Sequence, residues 1–254
     1  MQYKIETRKS TMYKARPSTC TRSCLVHCVF YEFKIYLMNS ATYMSIRQNI
    51  FIEGEYYHIY NRGNSKKILF HDNQDHQHFI KLLTILNTNS SIRLKRIRVQ
   101  SQNDDPLVSI GAYCLMPNHF HVLITQESEK GVSKFMQKVS TGYAMYYNKK
   151  YKHTGGLFEG KFKSKHANNN VYLHYLFAYI HLNPAKILDQ NWKLKVRTSP
   201  KEMVAYLMNY EYSSFNEYLS GMFVVVNKNA FPDYFPNKQS FIKSVTSWFR
   251  EFPL

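Results

Sequence analysis

At 254 residues, 44% of them hydrophobic, the chain is long enough for one large domain with appendages. Its 34 basic residues against 17 acidic ones leave a formal charge of +17, more than solubility requires, which points to a polyanionic partner: nucleic acid first, an anionic membrane surface second. No apolar run reaches about eighteen residues, so no membrane span is expected, and four cysteines without a CxxC pair suit a reducing, cytoplasmic setting rather than a disulfide framework.

Residues 1–43 stand apart. They hold Cys20, Cys24 and Cys28, are rich in Ser, Thr and basic residues, and lack clear periodicity. Cys-x3-Cys-x3-Cys beside His27 has the residue types of a metal site, but that spacing also lines one helix face and no second ligand pair follows. The apolar run over 24–30 is broken by His27 and closed by Glu32 and Lys34, which makes a poor signal peptide. We read 1–43 as an appendage, either disordered in part or an over-extended start ahead of Met44, then a core over 44–188 and an extension over 189–254.

Organised pattern begins near Glu55. Tyr56-Tyr57-His58-Ile59-Tyr60 is β-rich and is closed by the turn signal Asn61-Arg62-Gly63-Asn64. A helix is predicted over 72–89, capped by Asp72, with Phe79, Leu82, Leu83 and Leu86 as its core stripe. Residues 92–99 read as a half-buried strand with a basic outer face and 101–106 as a polar turn. Strands follow over 108–115 and 119–125, with Pro117, which cannot sit inside a central ladder, marking the corner. The longest helix is predicted over 131–151, its stripe formed by Val132, Phe135, Met136, Val139, Tyr143, Tyr146 and Tyr147. Residues 157–166 alternate as a strand or extended arm with Lys161, Lys163 and Lys165 on one side, which we assign to phosphate contact. Asn168-Asn169-Asn170 caps a helix over 171–182 that Asn183-Pro184 ends. A helix over 202–210, the segment Tyr212-Ser213-Ser214-Phe215 and an amphipathic helix over 241–252 complete the chain. Together these argue for an α+β fold with helices on one face of an antiparallel sheet.

Two stretches carry chemistry. In the strand over 119–125, period-two alternation places His119 and His121 on one face and Phe120, Val122 and Ile124 on the other, so two imidazoles form a ready ligand pair. On the later helix, Leu173, Leu176, Phe177 and Ile180 form a core stripe while Tyr172, Tyr175, Tyr179 and Asn183 form another. A tyrosine hydroxyl is a weak nucleophile at its ordinary pKa of about 10. It attacks a phosphodiester when a divalent cation polarises a non-bridging oxygen and holds the phosphorus in line. Mixed nitrogen and oxygen ligation with open positions suits Mg²⁺ or Mn²⁺, with Zn²⁺ also admissible. A metallo-hydrolase of the β-lactamase type would want an acid where Leu123 stands, and a base deaminase would want His-x-Glu with a downstream CxxC.

Met116-Pro117-Asn118-His119-Phe120-His121, taken with Tyr179-Ile180-His181-Leu182-Asn183-Pro184, resembles the single-tyrosine HUH transposases, and within them the REP-associated tyrosine transposases related to the smallest insertion-sequence transposases. The similarity extends through 57–63, 143–151 and 155–164 to Tyr212-Ser213-Ser214-Phe215, covering roughly residues 50–220. The resemblance implies a ferredoxin-like or RRM-like core, to which the helices read after residue 189 add a helical C-terminal extension; residues 1–43 and 221–254 have no counterpart in the family. It also implies a partner, single-stranded DNA with palindromic hairpins, handled by a monomer or homodimer. Cleavage would pass through a 5′-phosphotyrosine with Tyr179 as nucleophile and Tyr175 in reserve. His119, His121 and Asn183 would bind the metal, with Arg62, Lys161, Lys163 and Lys165 on the DNA. Asn183 stands where insertion-sequence relatives tend to use glutamine, and Lys161 where many relatives carry arginine, which keeps the charge but loses the bidentate fork. The rival reading is a non-catalytic hairpin-binding protein of the same fold.

Overall fold

The strand β1 (Tyr56–Arg62) lies at the centre of the sheet, paired antiparallel with β3 (His119–Gln126) on one side and β4 (Lys163–His166) on the other. β2 (Val108–Met116) pairs antiparallel with the far edge of β3, giving the order β2-β3-β1-β4. With α1 (Asn73–Ile85) between β1 and β2, and α2 (Gly131–Tyr151) between β3 and β4, this is the split βαβ arrangement of a ferredoxin-like α+β fold. The computed structural model describes residues 50–90, 105–188 and 199–250. The appendage over 1–43 and the strand expected over 92–99 lie outside the described residues.

Alternation along β1 and β3 separates two chemistries. Tyr57 and Ile59 face α1 and α2 together with Phe120, Val122 and Ile124; Phe79 of α1 lies 5.0 Å from the Phe120 ring and 5.1 Å from that of Tyr143. His58 and Tyr60 share the opposite face with His119 and His121. That face is covered by α3 (Asn170–His181), which packs across β2 and β3. The two crossover helices therefore occupy one face, and α3 with the C-terminal elements the other.

Local chemistry fixes the ends of these elements. Asp72 and Asn169 cap α1 and α3 by accepting the backbone N–H of Asp75 and Tyr172. α1 ends at Ile85 rather than 89, because the Asn87 side chain leaves the helix to accept from the N–H of Leu107 and Val108 and to donate to the Val108 carbonyl. Beneath α1 and α2, buried Asp75 accepts from the Tyr146 and Tyr151 hydroxyls, Lys150 Nζ and the His71 N–H. Burial alone would raise its pKa, but the bonds from Lys150, Tyr151, His71 and Tyr146 outweigh this and hold the carboxyl at about 2.

The extension runs through α4 (Ala185–Leu188), α5 (Pro200–Asn209), α6 (Phe215–Ser220) and α7 (Lys238–Arg250). α5 opens with a capping box between Ser199 and Glu202. Tyr212-Ser213-Ser214 lies along the outer edge of β2, with Leu115 N–H donating to the Tyr212 carbonyl and Ser214 N–H to the Tyr113 carbonyl. The β2 bulge at Gly111 leaves room for the Phe231 ring, which a Cβ there would meet at 2.7 Å.

Candidate active site

The histidine pair is aimed by its turn. Pro117 and Asn118 are the two residues between β2 and β3, and their carbonyls are fixed from outside: Pro117 O accepts from Leu69 N and Phe70 N, and Asn118 O from Gly63 N. Gly63 is required there, since a Cβ would stand 2.1 Å from the Lys67 carbonyl oxygen. The Asn61-Arg62-Gly63 turn signal thus becomes the brace of the histidine turn.

Each imidazole has one nitrogen already engaged. His119 Nδ1 donates to Asn118 Oδ1 at 2.6 Å, and His121 Nδ1 lies 2.8 Å from His58 Nε2. The other nitrogen of His121, Nε2, is buried and finds no partner among the described residues. A buried ring nitrogen without a hydrogen bond is costly unless something else takes its lone pair. Burial lowers the pKa of all three rings, with Lys186 adding to the effect on each: His58 falls to about 3, His119 to about 4 and His121 well below its ordinary value. They are neutral near pH 7, the form that ligates a metal.

Over this pair stands α3. The Tyr179 ring sits edge-on to His121 at 5.6 Å and to His58 at 5.7 Å, all within one chain. Burial raises the Tyr179 phenol above its ordinary pKa; Tyr60 and Cys114 add to this, and the Asn183 side chain opposes it. Tyr175, one turn earlier, packs instead against Trp248 at 5.1 Å, with Tyr179 5.8 Å away. Asn183 is buried after the helix end, donating from Nδ2 to the Tyr179 carbonyl at 2.9 Å and accepting at Oδ1 from Lys186 Nζ at 2.5 Å. Lys186 Nζ also stands 5.2 Å above the Tyr179 ring.

The basic residues divide. Cross-strand partners share a face, so the pairs His58 with Lys165, Tyr60 with Lys163 and Arg62 with His119 place Lys163, Lys165 and Arg62 on the histidine side. Lys161 falls outside the strand. The alternation expected over 157–166 survives only in Lys163–His166, because Gly160 adopts a left-handed φ of +72° and its carbonyl accepts from Asn61 Nδ2. Lys161 is exposed beside that bend.

The description "Transposase IS200 like" matches residues 52–183, about half of the chain, from just before β1 to Asn183. The chain belongs to the IS200-like transposase family. No curated protein matches it. Among solved structures, a REP-associated tyrosine transposase bound to a REP hairpin is similar over 72% of this chain and 90% of its own, at 15% identity and a TM-score of 0.46. A tRNA(His) guanylyltransferase from Saccharomyces cerevisiae is similar over 78% and 87%, at 13% identity and a TM-score of 0.32.

At this candidate site the sequence put forward His119, His121, Tyr179 and Asn183 and passed over His58 and Lys186, which the fold brings beside them. His58 carried a signal in its alternation with Tyr60, although its role depends on strand register. Lys186 follows Pro184, where the reading took the helix to end; the chain turns straight into α4 and brings the lysine back over Tyr179. Among the described residues no group of three His, Cys, Asp or Glu is arranged so that it could hold a metal ion. A cation here would have two imidazoles and the Asn183 carboxamide.

Proposed function

We propose that this transposase cleaves and rejoins single-stranded DNA carrying palindromic hairpins, in the manner of the REP-associated tyrosine transposases, with Tyr179 as nucleophile. The observation that carries the reading is Tyr179 seated over His58 and His121 beside the unpartnered His121 Nε2. His119 and His121 each have Nδ1 engaged by an outer partner, the arrangement that fixes the tautomer of a ligating imidazole and leaves Nε2 for the metal. Bound there, Mg²⁺ or Mn²⁺ would supply Lewis acidity to a non-bridging phosphate oxygen and a template for in-line attack.

The residues do the rest. Tyr179 Oη attacks phosphorus as its proton is released, the P–O3′ bond breaks, and the departing 3′ oxygen takes up a proton, leaving a 5′-phosphotyrosine and a free 3′-OH. Attack by another 3′-OH reverses the chemistry and rejoins strands. Lys163, Lys165 and Arg62, on the histidine face, meet the phosphate backbone, while half-buried Tyr60 offers a ring for a base.

The test is a single-stranded hairpin oligonucleotide incubated with the protein and Mn²⁺, followed by denaturing electrophoresis. The wild type should form a covalent adduct, and Tyr179→Phe should lose it while retaining binding. An adduct persisting in that variant would move the nucleophile elsewhere, with Tyr175→Phe next. Binding by the wild type without any adduct would return the non-catalytic reading.

A further inference from the structure

Asn183, the oxygen ligand in the reading above, is held by a cation of the protein's own. Its carboxamide is fixed at both ends: Nδ2 donates to the Tyr179 carbonyl, so Oδ1 is the atom turned to Lys186 Nζ, 2.5 Å away. Asn183 is almost fully buried and Lys186 half-buried, so the bond is shielded from water on one side. The ammonium faces the site itself: it lies 5.2 Å above the Tyr179 ring, and its charge is felt at His58, His119 and His121.

A dication and this ammonium compete for one carboxamide oxygen, because two cations on its two lone pairs repel each other. A metal approaching His119 and His121 meets a ligand already engaged in a charge-assisted bond, and a positive charge beside it. A phosphodiester arriving on the Lys163 and Lys165 side brings a negative charge that competes with Oδ1 for the lysine, since an ionised phosphate oxygen is a stronger acceptor than an amide. We propose that Lys186 occupies the metal's oxygen ligand until nucleic acid draws it away, so that metal and single-stranded DNA bind with positive coupling. By linkage the same factor operates in both directions. The metal site is then completed only when there is a strand to cut, which restrains metal-dependent chemistry in the free protein. The inference rests on the metal reading proposed above.

The experiment titrates Mn²⁺ into the full chain, following free Mn²⁺ by electron paramagnetic resonance, with and without a single-stranded oligothymidylate. Wild type is compared with Lys186→Met, Lys186→Gln, Lys186→Arg and His121→Ala. Without DNA, the Met and Gln variants should bind Mn²⁺ about ten- to a hundredfold more tightly than wild type, the weight of one hydrogen bond to a charged group. The Arg variant should stay near wild type. Added oligothymidylate should tighten Mn²⁺ binding in wild type and leave the Met and Gln variants little changed. Equal Mn²⁺ affinity in wild type and both neutral variants, or equal tightening by DNA in all of them, overturns the inference while the metal site stands. Equal affinity in wild type and His121→Ala overturns the metal reading and the inference with it.

Discussion

The bond between His58 and His121 makes a prediction that depends on a residue outside the metal-ligand set. For a metal to sit on His121 Nε2, the ring proton must be on Nδ1, and His58 Nε2 at 2.8 Å must then accept it. His58→Phe deletes that acceptor while keeping a ring to stack on His121, where the centroids stand 5.0 Å apart with planes 26° from parallel. His121 is 6% exposed, so its Nδ1–H would be left without a protein partner and largely without water. Stranding a buried donor costs about 1–3 kcal/mol, and loss of an outer-shell partner weakens metal affinity about ten- to a hundredfold. The extra apolar surface of phenylalanine offsets part of the stability cost, so affinity is the sharper readout. Titration of Mn²⁺ by calorimetry should show the weakening in His58→Phe and partial recovery in His58→Gln, whose amide oxygen can accept in place of Nε2. Wild-type affinity in His58→Phe would show that the contact does not orient the ligand, and the tautomer argument would fail.

Other perturbations probe the frame and the DNA face. Ser214 is fully buried, its Oγ accepting from Tyr113 N–H and bonded to His181 Nε2, so Ser214→Ala should cost about 1–3 kcal/mol in urea unfolding. A loss below a few tenths of a kcal/mol would count against the segment as a fastener of α3. Asp75, held at about 2 in the fold against about 3.9 unfolded, contributes about 2–3 kcal/mol that is complete above pH 4 and lost as pH falls through 2. The stability gap between wild type and Asp75→Asn should therefore narrow on acidification, and a gap constant from pH 6 to 2 would contradict the assignment. Replacing Lys163 and Lys165 by Ala should each reduce the dependence of log binding constant on log salt by roughly one, measured with hairpin oligonucleotides. An unchanged slope would place the backbone elsewhere.

What the sequence disclosed was mostly local. The α2 limits 131–151, the cap Asp72, the capping run Asn168-Asn169-Asn170 and the two faces of β3 follow from apolar period, capping chemistry and strand alternation, and the structure repeats them, with Asn169 as the capping residue of the run. What stayed hidden was pairing. His58 matters because β1 lies against β3 in the register that sets Tyr60 opposite His121, and nothing within β1 states that register. The arm over 157–166 reads as one strand by alternation alone. It breaks because Asn61, 99 residues earlier, takes the Gly160 carbonyl and the glycine turns left-handed. Pro184 hid Lys186 by marking an ending, although a proline that stops one helix can also open the next.

The extension after Asn183 bears directly on which histidines Tyr179 can face. Phe177 is enclosed by Tyr218, Phe231, Tyr234 and Phe235, with ring centroids 5.3–6.1 Å away. His181 bonds Ser214, His174 bonds Ser244, and Trp248 lies against Tyr175. These contacts grip α3 along its length. Swinging the helix to another molecule would open all of them and expose several large rings to water, at a cost of about 1.5–3 kcal/mol for each side chain fully uncovered. The tyrosine is thus held over the histidines of its own chain. Under the function proposed above, a nucleophile fixed in this way would keep its covalently attached strand beside the residues that must reverse the step. The same clamp holds the end of α3, where Asn183 and Lys186 follow, so the carboxamide oxygen and the lysine bonded to it share one support.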